Sequence, residues 1–183
     1  MSGHSKWSKV KHQKATTDVV KGAAFTKASR AIMVAVRGWG STDPEKNFRL
    51  RLALEKARAV NMPKETIHRA IEKAAGGGGG DIAQVMYEGY GPGGIAFLVD
   101  AATDNRNRAV STIKNTFERH GGSLGAPGAV GFLFTRSMEH DQLNIRPTYT
   151  VSVAPEVRDR VEALIADLET LDDVQHVYTN YEH

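Results

Sequence analysis

The chain has 183 residues, 40% hydrophobic and 25% charged, and its 24 Lys and Arg against 21 Asp and Glu leave a formal net charge of +3. That composition is ordinary for one large or two small globular domains and excludes intrinsic disorder and collagen-like architecture. The chain has no cysteine, which removes disulfides, Cys-ligated zinc, iron–sulfur clusters and thiol catalysis, and suits a reducing, cytoplasmic setting.

No run approaches the roughly 18 apolar residues of a membrane span, and the polar, basic start carries no apolar signal-peptide core. Neither a membrane segment nor a secretory signal is expected. The small net charge is a cancellation. Residues 1–75 hold 16 Lys and Arg against six acids, or +10, whereas the remaining 108 hold eight against 15, or −7. Such asymmetry points to polyanion binding by the basic part. Five glycines at 76–80 separate the two, a run that no helix or strand interior tolerates well. The expected organisation is a basic helical domain over 1–75, a Gly-rich linker over 76–83, and an α+β domain over 84–183.

The first twelve residues after Ser2 are the densest feature. His4, Lys6, Trp7, Lys9, Lys11, His12 and Lys14 crowd together without an acid before Asp18. Two readings fit: a phosphate-contacting arm whose Trp7 stacks on a base or ribose, or a solvated tail stapled down by Trp7 and Val10. The basic bias continues through Lys21, Lys27, Arg30 and Arg37, which favours the arm.

Three helices are expected next. Over 17–37, Val20, Ala24, Ala28, Ile32 and Val36 recur every four residues. Asp43-Pro44-Glu45 reads as a helix start with an N-cap acid and proline at the first position, and Phe48, Leu52 and Leu54 supply its buried side. Met62-Pro63 opens a third, carrying Ile67, Ala70, Ile71 and Ala74 up to the glycines.

Beyond the glycines, strands are expected over 84–90, 95–102, 129–135, 148–153 and 174–179, and helices over 106–120 and from Pro155. From Ile95 onward the order is β-α-β-β-α-β, the ferredoxin-like split βαβ pattern, with strand 84–90 extending the sheet or forming a hairpin at its edge. The predicted class is therefore α+β, a small helical domain followed by a ferredoxin-like domain.

No enzyme motif stands out. Gly89-Tyr90-Gly91-Pro92-Gly93-Gly94 matches a G-x-G-x-x-G string, but it joins two strands and so cannot offer a helix N-terminus to a pyrophosphate. The seven histidines show no metal-ligand spacing. No cofactor or metal is expected, and no catalytic residue is nominated. One polar cluster is less bland: Thr103-Asp104-Asn105-Arg106-Asn107-Arg108 sits at a strand-to-helix junction. Capping by Asp104 or Asn105 accounts for part of it. Arg106 and Arg108 lie at the positive end of the helix dipole, which calls for a bound anion or an acidic neighbour.

Several stretches together resemble the YebC/PmpR family. They are Gly3-His4-Ser5-Lys6-Trp7 with Lys11-His12-x-Lys14, Phe25-Thr26-Lys27, Tyr87-Glu88-Gly89-Tyr90-Gly91-Pro92-Gly93-Gly94, the 103–108 cluster, Gly121-Gly122-x-Leu124-Gly125, and Leu171-Asp172-Asp173-Val174-Gln175-x-Val177-Tyr178. The resemblance implies a cytoplasmic, non-enzymatic regulator of gene expression, acting in transcription through DNA or in translation on the ribosome, notably at proline-rich stretches. Together with the basic bias of the first helix, it places nucleic-acid contact at His4, Lys6, Trp7, Lys9, Lys11, His12, Lys14, Lys21, Lys27, Arg30, Asn105, Arg106, Asn107 and Arg108. The family usually carries a further α/β domain between about Thr135 and Thr148, for which only a short connection over about 136–147 is present here. The reading that follows is a DNA-binding regulator, with a ribosomal-RNA-associated translation factor and a protein-interaction adaptor as alternatives, and a monomer without a membrane partner.

Overall fold

The computed structural model describes residues 4–76, 81–139 and 142–182, and the side chains of 21–76, 81–138 and 144–182. The glycines at 77–80, expected as the linker, lie outside the described residues.

Three helices come first: α1 (His4–Trp39), α2 (Phe48–Ala59) and α3 (Lys64–Ala75). The first is longer than its apolar stripe requires, and its N-terminal half takes in the stretch expected as an arm. Ala28, Ile32, Ala35 and Val36 of α1 pack against Leu50, Ala53, Leu54 and Ala57 of α2 and Ala70 and Ala74 of α3. Asp43-Pro44-Glu45 does not start α2 as expected. It forms a turn, and the cap is Asn47, fully buried, whose Oδ1 accepts from the Leu50 N–H while its Nδ2 donates to the Ala35 and Ser41 carbonyls. Asn47 wins because one side chain closes the helix end and also satisfies two loop carbonyls in the core.

The rest is α+β, as expected. Strands β1 (Ala83–Tyr90) and β2 (Ala96–Thr103) form an antiparallel hairpin eight pairs long, closed by Gly91 N–H to the Ile95 carbonyl. Then follow α4 (Arg106–Arg119), the short β3 (Ser123–Leu124), β4 (Phe134–Glu139), β5 (Gln142–Pro147), α5 (Pro155–Thr170) and β6 (Val174–Thr179). The sheet order is β3-β1-β2-β6. The unit β2-α4-β3 is the expected split βαβ, but the strand between its two parallel members is β1, which comes first in the chain. The strand expected at an edge therefore lies in the interior.

Strands expected over 129–135 and 148–153 shift. Gly131–Leu133 is a 3-10 turn, and among the described residues β4 pairs only with β5, in a separate ribbon spanning the stretch expected as a plain connection. The reason is Glu88. Its carboxylate accepts the backbone N–H groups of Gly128, Val130 and Gly131 at 3.0, 2.7 and 2.7 Å, which removes that segment from any ladder. Gly89 beside it allows the close approach of β3, since a Cβ there would sit 2.7 Å from the Ser123 carbonyl and against the Phe117 ring.

Strand β2 is buried at every position. Phe97, Val99 and Ala101 face α4 and α5, joining Ile113, Phe117, Val161, Leu164 and Leu168. On the other face, Ala96 and Leu98 meet Val130, Phe134 and Ile145 from the ribbon side. Asp100 and Ala102 on that same face meet the helical part.

Partial burial of Glu88 opposes its ionisation, but the three N–H donors and the charge of Arg136 outweigh this and hold its pKa below the ordinary value. Its contribution is thus complete above the unfolded-state pKa of about 4.3 and lost as pH falls through the folded value. Glu88→Ala should cost about 2 kcal/mol at neutral pH by orphaning three donors, and should flatten the acid side of the stability–pH curve measured by urea denaturation. An acid limb identical to the parent's would contradict this role.

Candidate nucleic-acid interface

The residues nominated from the sequence divide into three groups. The side chains of His4, Lys6, Trp7, Lys9, Lys11, His12 and Lys14 lie outside the described residues, although their backbone belongs to α1. Lys21, Arg106 and Asn107 are exposed. Lys27, Arg30, Asn105 and Arg108 are engaged within the protein.

That engagement is a clamp between the helical part and the sheet. Asp173, 7% exposed, precedes β6. Its carboxylate takes the guanidinium of Arg108 from α4 in two contacts, Nη2 to Oδ1 at 2.8 Å and Nε to Oδ2 at 3.3 Å. Arg30 of α1 approaches the same Oδ1 at 3.1 Å. Asp104 completes the group, 2.7 Å from Arg108 and 4.0 Å from Arg30. One turn before Arg30, the Lys27 ammonium donates to the Glu169 carbonyl at the end of α5. Burial lowers the Lys27 pKa against the opposing pull of Glu169 and Asp172. The hydrogen bond to Arg108, opposed by slight burial, keeps Asp104 below the ordinary carboxylate range. Asn105 caps α4, its Oδ1 accepting the Arg108 N–H at 3.0 Å, while Thr103 Oγ1 closes the turn around it. The acidic neighbour that Arg108 called for is Asp173.

Other cations remain outward. Arg58, Lys64 and Lys73 on α2 and α3 are exposed and, with Lys21 and Arg106, have no ion-pair partner among the described residues. Such groups can meet phosphates without first breaking an internal contact. Arg49 and Lys56, seven residues apart on α2, point into a cleft of about 300 Å³ between the helical part and the sheet. Lys56 Nζ lies 3.1 Å from His176 Nε2, and Arg49 sits over the Trp39 ring at 5.8 Å. The His176 ring reaches solvent through the cleft, yet packed atoms around it, with the charges of Lys56 and Lys27, push its pKa down to about 4. At neutral pH it is therefore an acceptor for Lys56. Asp100, on the cleft floor, accepts from Gln84 Nε2 at 2.9 and 3.1 Å, and burial raises its pKa. The cleft was not nominated from the sequence. The seven-residue spacing of Arg49 and Lys56 on one helix face was its only local signal.

The fold thus defines a basic three-helix unit clamped onto the open face of an antiparallel α+β sheet. The chain belongs to the TACO1/YebC family: the family's N-terminal domain matches residues 5–77, and its second and third domains match 82–138 and 135–181. A probable transcriptional regulatory protein of Roseiflexus castenholzii is 45% identical over 188 residues, covering 99% of this chain and 71% of that one. One of Chloroflexus aggregans is 55% identical over 135 residues, covering 73% of this chain and 54% of its own. A Synechococcus protein with the same description is 40% identical over 240 aligned residues, covering 100% and 96%. The chain therefore spans about half to nearly all of these relatives. The crystal structure of a conserved hypothetical protein from Aquifex aeolicus superposes with a TM-score of 0.78 at 35% identity, covering 88% of this chain and 90% of that one.

The clamp separates an engaged arginine, Arg108, from an exposed one, Arg106. Arg108→Gln should lower stability by about 1 kcal/mol, the scale of a partly exposed charge pair, in urea denaturation, whereas exposed Arg106→Gln should leave it unchanged. Equal stability of the two variants would contradict the assignment.

Proposed function

We propose that the protein regulates gene expression by binding nucleic acid in the cytoplasm, through the cationic surface of its helical part. The observation that carries this reading is the +10 balance of residues 1–75 combined with the outward, unclamped cations of α1, α2 and α3. The names borne by the relatives support the same reading and favour DNA as the target. The acidic sheet domain then serves as the frame that orients the helices. No step of this reading requires a reaction at a catalytic residue.

Lysine contacts of this kind position a protein on phosphates and read little sequence. Binding should accordingly be strongly salt-dependent through counterion release. Replacing Lys6, Lys9, Lys11 and Lys14 together by Ala should weaken binding to duplex DNA and reduce the slope of log K against log salt by about 3 to 4 units. Fluorescence anisotropy across a salt series reads this directly, and an unchanged slope would remove the N-terminal lysines from the interface. Crosslinking in cells with sequencing of bound DNA and RNA separates discrete promoter sites from ribosomal RNA.

A further inference from the structure

The cleft beneath α2 has features that packing alone leaves unused. Arg49 and Lys56 are two helical turns apart, which places their charges about 10 Å apart along one wall. Between them the wall is smooth and apolar, formed by Leu52 and Ala53 with Ala31 and Val34 of α1. The opposite wall is the sheet face, where the Tyr178 and His176 rings lie 6.0 Å apart and inclined at 53°. Two amides border this slot. Gln84 gives its nitrogen to Asp100, and Gln175 holds a buried side-chain nitrogen without an acceptor among the described residues. A buried donor left without an acceptor is unfavourable. Trp39, 59% exposed, stands at the same end as Arg49.

A flat slot with aromatic and apolar walls, amides at its edge and two cations on one side matches the parts of a nucleotide. Stacking surfaces take a base irrespective of sequence. Amides both donate and accept, as a base edge requires. Guanidinium and ammonium groups take a phosphate. The volume of about 300 Å³ lies at the small end of ligand sites and cannot admit a duplex. We propose that this cleft holds one unpaired nucleotide, its base between the α2 wall and Tyr178, with Arg49 and Lys56 at the two ends of the slot to meet the phosphates on either side of it. The inference rests on the nucleic-acid reading above and adds that one contact is made to a base taken out of any duplex. A free mononucleotide and a nucleotide within a single strand share this chemistry.

The test uses the full chain with three probes: guanosine 5′-monophosphate, a fluorescent ten-nucleotide single-stranded RNA, and the same strand annealed to its complement. Leu52→Trp narrows the slot while keeping every charge, and Lys56→Glu reverses a cation at an exposed position that the core does not need. Either variant should weaken single-strand binding at least tenfold and leave duplex binding within twofold. Guanosine 5′-monophosphate should shift the His176 and Tyr178 ring resonances saturably, and its displacement of the strand identifies free nucleotide as an occupant as well. Wild-type affinity for the single strand in folded Leu52→Trp and Lys56→Glu would overturn the cleft proposal while leaving the nucleic-acid reading standing. Loss of strand and duplex binding in the four-lysine variant, with the mononucleotide shifts retained, would show the reverse separation. Absence of both strand binding and mononucleotide shifts in the parent protein would overturn the proposal outright.

Discussion

The carboxylate of Asp173 is the constraint on which the arrangement of the molecule depends. A carboxylate so nearly withdrawn from water is costly unless charged donors surround it. Its charged partners come from different elements: Arg108, which donates to it from the first turn of α4, and Arg30, which lies within ion-pair distance from the middle of α1. Satisfying it therefore joins the helical part to the sheet and fixes where α1 crosses. Three of the stretches that resemble the family meet at this point: α1 just after Phe25-Thr26-Lys27, the 103–108 cluster, and the segment leading into β6. Their common task here is junction geometry.

That geometry determines the remaining surfaces. With α1 held at the α5–β6 end, α2 lies over the sheet face that the β4–β5 ribbon leaves uncovered, and the cleft forms between them. Strand β2 records the division residue by residue, since its two inward faces serve α4 and α5 on one side and the ribbon and helical part on the other. The ribbon forms a sheet of its own beside the four-stranded one. Glu88 performs the corresponding task there, turning the 128–131 backbone away from the sheet edge.

Much of the fold was legible in local pattern. Helices α3, α4 and α5, the β1–β2 hairpin and β6 follow from periodicity, proline starts and glycine turns, because each depends on neighbours close in sequence. The errors have the opposite origin. Asp43-Pro44-Glu45 carries good start chemistry, but Asn47 also satisfies the Ala35 and Ser41 carbonyls, a tertiary gain that no local signal reports. The 129–135 segment has strand composition, yet Glu88, some forty residues away, claims its N–H groups. At the candidate site, charge density was legible and charge availability was not. Arg30 and Arg108 look as free in sequence as Arg106 does, and only the approach of Asp173 distinguishes them.

Arg30 and Asp173 couple the two parts of the molecule across the junction. A double-mutant cycle with Arg30→Gln, Asp173→Asn and the combined variant, read by urea denaturation at low and moderate salt, measures that coupling directly. A favourable interaction energy of about 1 to 3 kcal/mol that persists at moderate salt is expected for a pair so shielded from solvent. A coupling within about 0.3 kcal/mol of zero, the range of additive and independent sites, would contradict it.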